Sequence, residues 1–191
     1  MGSAEDVFKK FDEWWTGSKK EIFRLQLLDT YDVESSKKSF EDYRQGKPIN
    51  TDEIPGYKDW FSRIETKKKQ GVKVINLQVV TLPLNDYTRY AVEAILPINS
   101  RAGQESYFVE RANVANKVSG FQDFWMFDSE KVLLMDYDKK GRFLGGRILT
   151  DPPSIAKYRG LKSGLSKVAV PMKEFLQANG AKIHRRTKEL S

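Results

Sequence analysis

Residues 121–151 read FQDFWMFDSEKVLLMDYDKKGRFLGGRILTD. Two β-prone runs, Phe124–Phe127 and Lys131–Tyr137, flank Asp128-Ser129-Glu130, and a third, Arg142–Leu149, follows Asp138-Lys139-Lys140-Gly141. Turn-forming residues between such runs predict a strand pair followed by a hairpin. The same stretch interleaves aspartates with aromatic residues, so it is also the first place to look for chemistry.

Downstream, Asp151-Pro152-Pro153-Ser154 starts a helix with proline in its first turn. Gly160, Gly164 and Pro171 interrupt that helix, and residues 181–191 read as a basic flexible tail. Upstream, residues 72–80 (VKVINLQVV) alternate apolar and polar positions and are rich in β-branched residues, the pattern of a half-buried strand. Pro83 stops it, Asn85 or Asp86 starts a short helix that ends near Pro97, and Glu105–Arg111 follows as a strand. Near the N-terminus, Val7, Phe8, Phe11, Trp14 and Trp15 recur at helical spacing. In residues 21–28, Phe23, Leu25 and Leu27 alternate with Arg24 and Gln26 as in a strand. A short helix capped at Ser35 or Ser36 and a longer one over residues 56–69 complete the pattern. Helices first, then a mostly antiparallel sheet, then a helix predict a single α+β domain over residues 1–180, and not a doubly wound parallel sheet.

Composition narrows the function classes. The 191 residues suit one domain with a sizeable core. Without cysteine there is no disulfide, thiol nucleophile or thiolate metal site, which fits a cytoplasmic setting. No apolar run approaches the length of about 20 residues that spans a bilayer, so no membrane partner is expected. Residues 1–70 hold 14 basic and 14 acidic residues, so the whole net charge of +7 lies in the remainder. A basic half is compatible with a polyanion and equally with a lysine-rich soluble surface.

The one histidine, His184, lies in the tail, which works against a serine–histidine triad and excludes a histidine-rich metal site. There is no phosphate loop or dinucleotide fingerprint, and no cofactor is indicated. Asp123, Asp128, Asp136 and Asp138 are oxygen ligands that could together hold a divalent cation, but Asp128 and Asp138 sit at turns, where aspartate is favoured on local grounds. Among the aromatics, most of which are expected in the core, Trp125 lies opposite Phe124 and Met126 across a strand and is the one expected at a surface. Asp86, Tyr87, Arg89 and Tyr90 open a helix after a strand, a place suited to an anionic ligand or partner and also the pattern of an ordinary strand-to-helix junction. These four, with Trp125 and Asp128, form the candidate ligand or partner site. Lys67, Lys68, Lys69, Lys182, Arg185, Arg186 and Lys188 are the candidate nucleic-acid contacts.

A set of segments carries a family resemblance: Phe23-Arg24-Leu25, Pro83-Leu84-Asn85-Asp86-Tyr87 with Arg89-Tyr90, Ala102-Gly103, and above all the run from Asp123 to Asp128, continued by Tyr137-Asp138, Gly141-Arg142-Phe143 and Asp151-Pro152. Over residues 8–176 the chain resembles a bacterial family of unknown function, common in high-GC Gram-positive bacteria and often encoded beside helix-turn-helix regulators of the WhiJ type. It departs from that family's look in its richness in lysine and in Gln104-Glu105-Ser106-Tyr107. The resemblance implies a partner of a DNA-binding regulator and carries no catalytic residue. Three functions are thus in play: a non-enzymatic regulatory or interaction protein, a nucleic-acid-binding protein using the basic half, and a metal-dependent phosphodiesterase or nuclease.

Overall fold

A computed structural model describes residues 4–183. In chain order the elements are α1 (Ala4–Gly17), β1 (Glu21–Gln26), α2 (Lys37–Arg44), α3 (Tyr57–Lys69), β2 (Lys73–Val80), α4 (Asp86–Tyr90), α5 (Leu96–Ala102), β3 (Gln104–Glu110), α6 (Ala115–Val118), β4 (Phe124–Phe127), β5 (Lys131–Tyr137), β6 (Phe143–Leu149), α7 (Pro152–Ser166), β7 (Val170–Pro171) and α8 (Met172–Ile183). They build an α+β domain around a seven-stranded sheet of order β6-β5-β4-β1-β2-β3-β7. Lys182 falls in the last turn of α8, and Arg185, Arg186 and Lys188 of the expected basic tail lie outside the described residues.

The hairpins are where the turn residues place them. Asp128 and Ser129 both adopt positive φ, at 50° and 60°, and the Glu130 amide closes onto the Phe127 carbonyl at 3.0 Å. Two successive positive-φ residues in this three-residue loop match the right-handed twist of β4 and β5. Asp138 accepts hydrogen bonds from the amides of Lys140 (2.8 Å) and Arg142 (2.9 Å), which fixes the next turn before β6. Gly141 is required there: its φ is +82° and a Cβ would lie 2.4 Å from the Thr30 carbonyl oxygen.

The centre of the sheet differs from the sequence reading. Helices are not confined to the chain's ends: α2 and α3 join β1 to β2, and α4 and α5 join β2 to β3. Those connections let β1, β2 and β3 run parallel, because only a long crossover can return a strand in the same direction. The other four pairings are antiparallel. A second difference concerns Pro97, which does not end its helix. The helix runs from Asp86 to Ala102 and widens to a π turn over Ala91–Ile95. A proline ring clashes with the carbonyl four residues earlier, here that of Glu93, and the wider turn makes room for it.

Both faces of the sheet are covered. On one, Phe23, Leu25, Leu77, Val79, Phe124, Met126 and Leu134 meet Ile155, Tyr158, Leu161 and Leu165 of α7. On the other, Ile22, Val74, Trp125, Phe127 and Leu133 pack under Val7, Trp14 and Trp15 of α1 and Ile64 of α3. Trp125, expected at a surface, is therefore core and only 6% exposed; Phe11, Trp15 and Trp60 close over its ring. A third cluster on the same face joins Val80, Leu84, Val92, Leu96 and Phe108 to Phe175 of α8. Among the described residues no helix is long and apolar enough to cross a membrane.

Candidate ligand-binding site

Between the second and third clusters the covered face turns polar. Strand alternation puts Ile22, Arg24 and Gln26 of β1 on one side, in register with Val74, Asn76 and Gln78 of β2. Asn76 in turn pairs with Ser106 of β3, and Val74 with Gln104. The apolar ends of these rows, Ile22 with Val74 and Val80 with Phe108, join the flanking clusters. Their middles form a floor of Arg24, Gln26, Asn76, Gln78, Gln104 and Ser106, of which all but the part-buried Arg24 are less than 9% exposed. Burying so many polar groups opposes folding unless each finds a partner.

Several do not find one within the protein. Gln78 donates to Gln26 at 2.9 Å and Gln104 to Ser106 at 3.3 Å. Among the described residues, both polar atoms of the Asn76 amide and the Oε1 of Gln78 meet no hydrogen-bonding group. Both residues line a cavity of about 310 Å³, at the lower end of the range for small-molecule sites. Its walls come from the crossovers: Ser35 and Ser36 before α2, Ile54, Pro55 and Gly56 before α3, Tyr57 and Trp60 of α3, and Tyr87 and Tyr90 of α4. Ala91, Ile95 and Asn99 add the inner side of the π turn and of α5. Tyr57 donates to Asn99 at 2.8 Å, tying α3 to α5 across the opening.

Arg24 is the cation of this site. Its guanidinium lies 5.1 Å from the Trp125 ring and 5.9 Å from the Tyr31 ring. Among the described residues no carboxylate comes within ion-pair distance of it. Burial works against its charge, and the surrounding Tyr137, Tyr31 and Asp123 more than offset this, so its pKa is raised. Burial pushes the Tyr87 and Tyr57 phenols each up to about 12, and it raises Tyr137 as well. These phenols are therefore protonated donors at neutral pH. Asp123, the nearest acid, is committed elsewhere: it accepts from the Tyr31 hydroxyl at 2.5 Å and the Leu27 amide at 2.8 Å, and burial raises its pKa.

Of the residues expected at a ligand or partner site, Tyr87 and Tyr90 line this cavity. Tyr90 is held by Ser39 at 2.6 Å. Asp86 and Arg89 form an ion pair with each other at the start of α4. Asp128 accepts from the backbone amides of Lys19, Lys20 and Glu21 at 2.8–2.9 Å, which stitches the β4–β5 turn to the start of β1. Trp125 supports Arg24 from within the core. Of the lysine cluster, Lys67 is withdrawn from the surface: it is 3% exposed and donates to the carbonyls of Thr16 (2.9 Å) and Ser18 (3.1 Å). Lys68 and Lys69 are exposed. The four acids considered for a metal diverge: Asp123, Asp128 and Asp138 bind the groups above, and Asp136 accepts from Gln122 at 2.6 Å. Among the described residues no three acidic or histidine side chains gather to hold a metal ion.

The floor itself, Arg24, Gln26, Asn76, Gln78 and Gln104, is absent from the sequence-based site. Alternation alone marks such positions as the wet face of a half-buried strand. The available signal is the choice of residue: FRLQL and INLQV place arginine and amides at matched positions, where a wet face usually takes lysine, glutamate or threonine.

A family model described as a domain of unknown function, DUF6879, matches residues 9–177. No curated protein matches the chain. Among solved structures, TrmBL2, an archaeal chromatin protein with a novel mode of DNA binding, is similar at a TM-score of 0.45 and 13% identity over 89% of this chain and 52% of that one. The chain thus spans about half the length of that protein. Nuc, a phospholipase D family member from Salmonella typhimurium, is similar at a TM-score of 0.48 and 9% identity over 83% and 86% of the two chains. Likenesses this distant carry no functional argument.

Proposed function

Because the chain belongs to the DUF6879 domain family, whose description supplies no activity, we propose a function from its own site: a non-enzymatic regulatory domain that binds a small anionic ligand in the cavity above β1, β2 and β3. One observation carries this reading. Among the described residues, a part-buried arginine has no carboxylate partner and stands beside buried amide atoms that meet no hydrogen-bonding group. A structure tolerates such costs where a ligand completes the hydrogen bonds. Arginine offers a planar fork of donors suited to phosphate or carboxylate. The lining points to binding and not to turnover: its phenols are held protonated, and among the described residues it contains no nucleophile paired with a base.

Thermal denaturation with inorganic phosphate, ribose phosphate and citrate, on the wild type and on Arg24→Met, tests the reading. A ligand at a hundred times its Kd stabilises by about 2.7 kcal/mol. For a chain of this size that raises Tm by about 5–11 °C. At least one anion is expected to do so in the wild type and not in the variant. If none separates the two proteins, the cavity is not an anion site. The nucleic-acid reading has less support, since Lys67 is spent inside the fold.

A further inference from the structure

We infer that the anion held by Arg24 carries a planar amide-type edge, a nucleobase or a carboxamide, and that Asn76 with Gln78 reads it; this rests on the reading of the cavity as an anion site. Asn76 sits on β2, between the two strands with which it runs parallel, and is 4% exposed. Asn76 lines the cavity, and among the described residues neither its amide oxygen nor its amide nitrogen has a hydrogen-bond partner. Gln78, two residues along the same face, spends one amide atom on Gln26 and leaves the other open. The floor therefore offers an adjacent donor and acceptor, with a further polar atom about 7 Å along the strand.

A phosphate or carboxylate cannot complete that set. An ionised carboxylate or a doubly ionised phosphate monoester offers only acceptors, and the Asn76 oxygen would face it with no proton between them. The complement of a side-chain amide is another donor–acceptor edge, as in the bidentate pairing of asparagine with a nucleobase. The walls agree with a flat group: Tyr57, Trp60 and Tyr87 line the same space. Arg24 and Asn76 occupy paired positions on neighbouring strands, so one small molecule reaches both. The ligand class that follows is a phosphate or carboxylate carrying a planar base or carboxamide, of about mononucleotide size.

Calorimetric titration with the common ribonucleoside monophosphates, nicotinamide mononucleotide and ribose phosphate tests this, on the wild type, Arg24→Met, Asn76→Leu and Asn76→Asp. Asp keeps the shape of Asn and removes the donor. At least one base- or carboxamide-bearing probe is expected to bind about tenfold or more tighter than ribose phosphate. Both Asn76 variants should lose that preference; Asn76→Leu should keep the Arg24-dependent binding of ribose phosphate, whereas Asn76→Asp, which sets a carboxylate opposite Arg24, should weaken every anion. Ribose phosphate binding as tightly as every other probe, or a preference that survives in a folded Asn76 variant, overturns the inference and leaves the anion site standing. Binding of no probe, or binding indifferent to Arg24→Met, overturns both.

Discussion

Replacing Arg24 by methionine should make the unliganded protein more stable. The guanidinium is part-buried, and burial opposes its charge; the Tyr137 and Tyr31 phenols that would favour that charge once ionised are protonated at neutral pH, and among the described residues no carboxylate lies within ion-pair distance, so at that pH the fold holds a cation that water would solvate better. Removing a charge from such surroundings recovers a desolvation penalty of several kcal/mol for a deeply buried ion, and less for one that is part-buried. Against this stand its contacts with Trp125 at 5.1 Å and Tyr31 at 5.9 Å, each worth about 0.5–2 kcal/mol. Methionine keeps the apolar stem and recovers some of that loss through sulfur–aromatic contact, about 0.3–1.5 kcal/mol. Asp123 retains its Tyr31 and Leu27 donors in either case. The net expectation is a gain of about 1–2 kcal/mol, or a Tm rise of about 2–8 °C for a chain of this length. Differential scanning calorimetry at neutral pH measures it, and Arg24→Lys separates charge from shape because it keeps the cation and should bring no gain. A lower Tm in Arg24→Met would refute the reasoning: Arg24 would then be a structural group satisfied by its neighbours.

Two further variants test the frame around the site. A Cβ on Gly146 would stand 2.1 Å from the Leu134 carbonyl oxygen of the neighbouring strand, so Gly146→Ala forces β6 away from β5 and from Val7 of α1. A loss of about 1–3 kcal/mol is expected in urea denaturation, and an unchanged midpoint would contradict the close approach. Asp128→Ala removes an acceptor of three backbone amides and leaves alanine at a φ of 50°, for a loss of at least about 2 kcal/mol. The same carboxylate has a pH signature. Burial would raise its pKa, but the amides of Glu21, Lys19 and Lys20 outweigh burial and hold it below the usual carboxylate range. A depressed folded-state pKa contributes stability that is present above the unfolded value of about 3.9 and lost as pH falls through the folded one. Wild-type stability should therefore fall more steeply below about pH 4 than that of Asp128→Ala, and parallel acid titrations followed by circular dichroism would show a failure of that difference.

Local chemistry decided what the sequence could show. Period-two and helical spacing, proline and glycine punctuation and the aspartate-bearing turns are short-range properties. They place α1, β1, α3, β2 and the hairpins from Phe124 to Leu149 within a residue or two. Asp138 caps its own turn, as turn chemistry predicts. Asp128 is at a turn as well, but its carboxylate serves the chain near residue 20, a partner about a hundred positions away that no local rule reveals. Pro97 shows the same limit in reverse: the local rule says stop, and the helix widens and continues to Ala102.

The sequence by itself determined an α+β chain with an apolar period-two strand core and well-defined turns, and its segments, the run from Asp123 to Asp128 above all, carried a resemblance to a family of unknown function. Only the tertiary structure decided which alternate positions meet water. Arg24, Gln26, Asn76 and Gln78 have the pattern of a solvated face, and alternation reports only that two sides of a strand differ. Whether the polar side is wet depends on what the connections between strands cover. Here the crossovers carrying α3, α4 and α5 lie over it, and they turn a row of ordinary polar strand residues into the buried floor of a polar cavity.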